Sequence, residues 1–511
     1  MSNFAEKKQR WFLVVLMSGI VTSIYWRVFS LPFVSDDWWY LEQVRVLGVN
    51  EALRLAFDPA DPSNSIVYTP LSEAFMVLMY KVYGADPAPM RLPNFLIYIL
   101  NSCLVAFILG HVLENKWIGL LSGIVYASAI AVHLDVFAWA WAAYGDIGAT
   151  FFFLLSIWLY LRKKMWMSAF AYLFGCLFKP TIIFLPAMLL LHSLLLPEGK
   201  LDLHPMRLFN KWLPFLIFGG VVVGLKLAGS LPTTFDEDAP YFIDFWGKHL
   251  IKNGQLYLTW MFQTIFPLDA PKSTIFKTIA VVSTLTFIAG LFAMLLAVKM
   301  DQALRRVLFF FAWLVVGLLT VYFLPNHAYR YYSIYSLPAF VGLFFYTVHY
   351  FLLTLKVNQS VAFVLFSFLG LFALSGSLYQ SAQIFDEGLN QNTFADGTNM
   401  LIRRATTEIF VTDRLMEDFP SLPPGLVIVL VNGDIYSFGA GNTALQNLFG
   451  GDVFKLVPLS AIHYENEYWY FETPDSDPQY LDPSLVVIYE LNEDSIIRLD
   501  LVDLIDRSIE P

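Results

Sequence analysis

Residues 11–41 read WFLVVLMSGIVTSIYWRVFSLPFVSDDWWYL, and this stretch decides the fold class. Its first two thirds are an apolar run long enough to cross a bilayer, which takes about 20 such residues. Lys7, Lys8 and Arg10 stand before it in the charge order of a signal peptide, but no small-residue cleavage site follows. The run is therefore predicted to remain as a membrane helix with the N-terminus in the cytoplasm, the side that Lys and Arg favour. Asp36 and Asp37 then fall at the non-cytoplasmic surface, followed at once by Trp38, Trp39 and Tyr40. Trp and Tyr favour headgroup level, so the segment alone also reads as an interfacial anchor with two solvated acids.

The rest of the chain repeats the apolar pattern. Its 511 residues are 57% hydrophobic and only 14% charged, with mean hydropathy +0.58, the composition of a polytopic membrane protein. Further apolar runs lie at 93–113, 117–133, 146–161, 212–229, 275–298, 307–324, 334–355 and 361–379. Residues 165–196 are too long for one span and short for two, and Lys179-Pro180 interrupts them. They are predicted to form a hairpin that turns at Lys179 on the outer side. The chain is thus mainly α, a transmembrane helical bundle of about eleven spans, which keeps Arg162, Lys163, Lys164, Lys299, Arg305 and Arg306 in the cytoplasm. A single tilted helix over 165–196 would put Lys299, Arg305 and Arg306 outside.

Residues 1–379 form this membrane domain, with outer loops at 32–92, 134–145, 230–274 and 325–333. Within the first and third loops, 71–84 and 245–262 read as amphipathic helices, and Asp236, Glu237 and Asp238 form an acidic run. Residues 380–511 are predicted to be a small extracytoplasmic α/β domain. LVIVL (426–430), VFKLVPL (453–459), YWYFE (468–472) and SLVVIYEL (484–491) read as strands, and 397–417 and 441–449 as helices. NGDIYSFGAGN (432–442) is Gly-rich but matches no phosphate-binding fingerprint. The net charge of −10 argues against nucleic acid as a partner. Cys103 and Cys176 lie in apolar runs and suggest neither a disulfide nor a thiolate metal site. Few cysteines and no Asn-x-Ser/Thr sequon on the outer side favour a bacterial or archaeal plasma membrane.

On this topology the outer face collects Asp36, Asp37, His133, Asp135, Asp146, Lys179, His327 and Arg330. Singly, each reads as a solvated or snorkelling loop-end charge. Lys179 and Arg330 are the less usual kind, cations close to apolar spans on the side that disfavours them, and well placed to hold a lipid phosphate. Arg330 stands among Tyr329, Tyr331 and Tyr332, which can pack on a lipid or a sugar. The carboxylates could take a proton from a hydroxyl nucleophile or hold a divalent metal, and the cations could neutralise a leaving phosphate. His133-x-Asp135, with Asp36, is a loose metal pattern, because an i, i+2 pair is common by chance.

The order of these motifs resembles the GT-C glycosyltransferases, membrane enzymes that use polyprenyl-phosphate sugars, and most closely their protein O-mannosyltransferase-like and TMTC-like branch. FVSDDWWYL follows the first span, YTPLSEAF comes later in the loop, and RLPNFLIYILNSCLVAFIL carries Asn into the second span. VHLDVFAWAWAAYGD follows the third span, LFKPTIIFLP holds a Lys before a Pro-bearing span, and RYYSIYSLP resembles the late Arg-Tyr segment. The likeness covers about residues 11–345. It implies that Asp36 activates the acceptor, with Asp37 and Asp135 in the family's other catalytic acid positions. It also implies that His133, Asp146, Lys179 and Arg330 contact substrate, Lys179 and Arg330 at the donor phosphate; His327, on the same outer face, and Tyr331, beside Arg330, join them as substrate-binding candidates from their positions alone. The chain departs from the pattern at Tyr68-Thr69, where many relatives carry Arg or Lys, and its tail is no tetratricopeptide array.

The expectation is a glycosyltransferase that moves a sugar from a polyprenyl-phosphate donor to an extracytoplasmic lipid, glycan or protein acceptor. A single displacement predicts inversion. A membrane transporter or lipid flippase is the alternative; such proteins place ionisable groups near the midplane in repeated halves, whereas here the charges gather at one face. A non-catalytic scaffold with a partner-binding tail is the third reading.

Overall fold

The computed structural model describes residues 2–61, 68–141, 143–196, 205–228, 241–266, 274–296, 302–390, 400–419, 423, 425–431, 455–458, 462–465, 468–473, 476–480, 482–492 and 495–499. The acidic run at 236–238, the loop at 432–442 and the expected helix at 441–449 lie outside them. The chain is mostly helical, with a small mixed sheet near its end. The first apolar run forms α1 (Ser2–Tyr25), and the loop after it folds into α2 (Asp36–Leu47), α3 (Val49–Ala56) and α4 (Pro70–Tyr83). The bundle continues through α5 (Pro87–Val112), α6 (Lys116–Ala127), α7 (Ile130–Ala138), α8 (Ala143–Leu161), α9 (Met165–Phe178) and α10 (Leu185–Leu195). It is completed by α11 (Pro205–Ala228), α12 (Lys248–Ile265), α13 (Thr274–Leu296), α14 (Gln302–Leu318), α15 (Leu337–Thr354) and α16 (Gln359–Asn390).

Five of the described helices are long and apolar enough to cross a membrane, or six if α6 and α7, bent by 48° at their junction, count as one span. Their outward faces are apolar as well: Leu92, Leu96 and Leu100 on α5 and Val364, Phe368 and Leu371 on α16 are exposed at helical spacing. Water would disfavour such stripes and lipid accepts them. Residues 165–196 do run up and back. Lys179 meets Asp146 near the start of α8, and the His192 ring meets Tyr160 near its end, 5.5 Å between centroids. The turn falls at Lys179 because Pro180 disfavours helical backbone in the residue before it. With 14 residues, α9 reaches roughly 21 Å, short of a hydrocarbon core of about 30 Å.

Helix α16 passes the expected boundary at 379/380 without a break and ends at Asn390. Gln380, Ser381 and Gln383 lower its apolarity, but none is a helix breaker. Arg27 donates to the Ala382 carbonyl at 3.3 Å, so this extension packs on the end of the first span. Helix α17 (Met400–Asp418) leads to β1 (Val427–Val431), β2 (Lys455–Pro458), β3 (Ile462–Glu465), β4 (Tyr468–Thr473), β5 (Ser476–Tyr480), β6 (Val486–Asn492) and β7 (Ser495–Leu499). β1 pairs in parallel with β2 and β6, and β7 closes the other edge antiparallel to β6. β3, β4 and β5 form a separate antiparallel sheet. Val411 and Leu415 of α17 and Ile428, Val487 and Tyr489 of the sheet share one core with Trp38, Leu41 and Val44 of α2.

Candidate functional site

Proline sets up the platform on which Asp36 stands. Leu31 precedes Pro32 and is extended, with φ −78° and ψ 143°, which turns its carbonyl out of the preceding helix. The fully buried Arg91 guanidinium collects that carbonyl together with those of Pro32 and Ala138. Asp37, also fully buried, accepts the Val34, Ala140 and Trp141 N–H groups at 3.2, 2.8 and 3.0 Å. Asn94 of α5 reaches the Ala140 carbonyl. Loop one and the 138–141 segment are thus pinned together by one Arg and one Asp. Between them Ser35 holds a positive φ of 51°, a strained conformation for a residue with a side chain. It separates the buried Asp37 carboxylate from the exposed Asp36, which opens the first turn of α2.

A second wall comes from α4. Thr69 precedes Pro70, and its hydroxyl donates to Glu73 Oε1 at 3.0 Å instead of capping the helix. Burial pushes the Glu73 carboxyl up to about 7, with the Thr69 bond opposing and Asp61 adding. Glu73 and Asp36 both act on the Tyr40 hydroxyl, which burial raises first and these charges raise further. The Tyr40 ring stacks on Trp141 at 5.7 Å. The start of α4 also approaches the start of α8: a Cβ built on Gly145 would lie 3.4 Å from Ser72 Oγ and 3.9 Å from Lys179 Cδ.

The third wall is cationic and aromatic. Lys179 Nζ donates to both Asp146 oxygens at 2.8 Å and lies 5.5 Å from the centroids of both Tyr331 and Tyr332. His327 packs on Tyr241 and Tyr329, each at 4.6 Å. Burial, then the Lys179 charge, pushes His327 down to about 4, so it is neutral at pH 7. Burial raises the Tyr241 hydroxyl, and the charges of Asp146 and Asp36 raise it further, which ties this wall to the first. Arg330 opens the 3-10 turn Arg330–Tyr335 and is half-buried, with no carboxylate or hydrogen-bond partner among the described residues.

Asp36, Asp146, Lys179, His327, Arg330 and Tyr331 therefore gather at one end of the bundle. Asp37 is beside them in sequence but its carboxylate is committed to backbone. His133 is fully buried in α7, with Nδ1 2.8 Å from the Tyr98 hydroxyl and Nε2 without a partner among the described residues. Asp135 is half-buried on the same helix. Two residues apart on an α-helix, they point roughly 200° apart, so His133-x-Asp135 does not fit a shared metal. Among the described residues no three His, Cys, Asp or Glu side chains gather about one point. Arg91, Glu73 and Tyr241 were not singled out from the sequence, and Tyr40 was read only as an interfacial aromatic. Arg91 carried a readable signal, a cation at the mouth of an apolar run; Glu73, one acid within the amphipathic stretch 71–84, carried none of its own.

Compared with known protein families and with curated proteins, the chain matches none.

Proposed function

We propose that the chain is an integral-membrane glycosyltransferase that takes its sugar from a polyprenyl-phosphate donor. The observation that carries this reading is the isolation of one exposed carboxylate, Asp36, on a platform fixed by buried Asp37 and Arg91, across from a cation-bearing aromatic wall. Asp36 orients the acceptor hydroxyl and takes its proton as the oxygen attacks the anomeric carbon. The bond from that carbon to the donor phosphate breaks in line, with inversion. Arg330 receives the departing phosphate, because Lys179 is already held by Asp146. Tyr241 is exposed and offers a ring face and a hydroxyl for the sugar, while the buried Tyr331 and Tyr332 rings lie against Lys179. The acceptor is a lipid, glycan or protein on the Asp36 side of the membrane.

Membranes containing the full chain are tested with radiolabelled polyprenyl-phosphate sugars, following label into lipid, glycan and protein fractions. Transfer by wild type and its loss in Asp36→Asn, at unchanged melting temperature, is the expected result. Wild-type transfer rates in Asp36→Asn would sink the assignment. A transporter or flippase is the second reading, favoured by the helix breaks at the α6–α7 bend and at Lys179-Pro180, since broken helices build transporter sites. It predicts movement of the lipid-linked sugar across proteoliposomes without transfer to any acceptor.

A further inference from the structure

We infer that Glu408, on the tail helix α17, is a positioning residue for the Asp36 platform, so that the tail completes the candidate site. Glu408 is 2% exposed, and its Oε2 accepts the Trp38 indole N–H at 3.0 Å. Its other oxygen has no partner among the described residues. A carboxyl is a costly choice for such a position if packing alone is needed. Elsewhere α17 meets loop one through apolar side chains, with Val411 and Leu415 in the same core as Trp38 and Leu41. Glu408 supplies a directional contact, and it falls on the residue that follows Asp37. The Trp38 ring also packs edge-on to Phe33 at 5.3 Å, so fixing the indole fixes the chain on both sides of Ser35 and Asp36. Burial raises the Glu408 carboxyl well above its ordinary range, and nearby Asp37 raises it further, while the Trp38 bond and Arg91 pull it back. The tail therefore adds a pin to those that Asp37 and Arg91 supply.

Naming the platform as part of a transferase site rests on the proposal above, but the test does not. Amide hydrogen exchange is measured on the full-length protein in nanodiscs, without ligand, for wild type, Glu408→Leu, Glu408→Gln, Trp38→Phe and the Glu408→Leu/Trp38→Phe double variant. Segment 35–41 reports, and α15 serves as the internal control. Loss of one net hydrogen bond predicts roughly tenfold faster exchange over 35–41 in Glu408→Leu and Trp38→Phe. Glu408→Gln, which keeps an oxygen for the indole, stays near wild type, and the double variant is no faster than either single one. Unchanged exchange in both single variants would overturn the inference, as would equal loss in Glu408→Gln or additive loss in the double variant. Faster exchange in α15 to the same degree would also overturn it, because the effect would then be global.

Discussion

Replacing Asp37 by Ala strips the acceptors from three backbone N–H groups in a fully buried site. Leaving two or three such donors unpaired costs about 3 kcal/mol, so Asp37→Ala is expected to lower the melting temperature strongly, while Asp36→Asn leaves it unchanged. Thermal melting in detergent compares the two. Two further side chains give opposite pH signatures. Glu73 has a folded pKa of about 7, above its ordinary 4.5. Its contribution to stability is therefore present below pH 4.5 and lost as pH rises through 7. His327 is depressed from 6.5 to about 4; its contribution is present above pH 6.5 and lost as pH falls through 4. Glu73→Gln should raise the melting temperature, relative to wild type, more at pH 7 than at pH 4. For His327→Gln the relative gain should grow toward pH 4. Melting curves across that range check both. At this scale the sequence was half legible. Asp36 and Asp37 are adjacent letters, and only the Ser35 turn and the closing of 138–141 over loop one assign one to solvent and the other to backbone. Lys179 was legible as an unusual cation, but its partner Asp146 lies on a different helix, beyond the reach of local pattern.

Helix α9, the turn at Lys179-Pro180 and α10 form the hairpin expected from the break in 165–196. Its tip is tied to α8 by the Lys179–Asp146 pair, with Lys179 20% and Asp146 4% exposed at the side chain, and by Phe178, which stacks on Phe152. Removing one member strands the other in a mostly dry site, which typically costs 3–5 kcal/mol, whereas removing both costs much less. Lys179→Met and Asp146→Leu should each destabilise strongly, and the double variant should recover most of the loss. Equal or additive loss in the double variant would mean that the pair is not what holds the tip. The hairpin was readable because 165–196 is too long for one span and Lys179-Pro180 interrupts it, the residue before a Pro being kept out of the helical region. The extension of α16 to Asn390 was not, because a fall in hydropathy marks the edge of a lipid-facing stripe and not the end of a helix. Strands β1, β2, β4 and β6 fall close to the runs LVIVL, VFKLVPL, YWYFE and SLVVIYEL, where β-branched and aromatic residues cluster between breakers. Their partners β3, β5 and β7 are shorter or more polar and gave no comparable signal.

For the whole molecule, a helical chain with several membrane-length apolar helices was plain from composition and run length. The division into a membrane part and a tail was less so, because α17 and the sheet share a core with α2 and not only with each other. Sequence places 400–490 far from 35–41, and only the fold brings Glu408 to Trp38. The outcome is a bundle with one end built from loop one, the 138–141 segment, the hairpin tip, the 327–335 turn and the tail helix. The most direct test of the proposed function is binding of a polyprenyl monophosphate to the purified full-length protein in nanodiscs, for wild type, Arg330→Ala and Asp36→Asn. Wild type is expected to bind saturably. Arg330→Ala should bind at least roughly tenfold more weakly, the loss of one charge-assisted contact, and Asp36→Asn should match wild type. Failure of folded wild type to bind, or binding undiminished in Arg330→Ala, would contradict the account of a lipid-phosphate donor held at this end of the bundle.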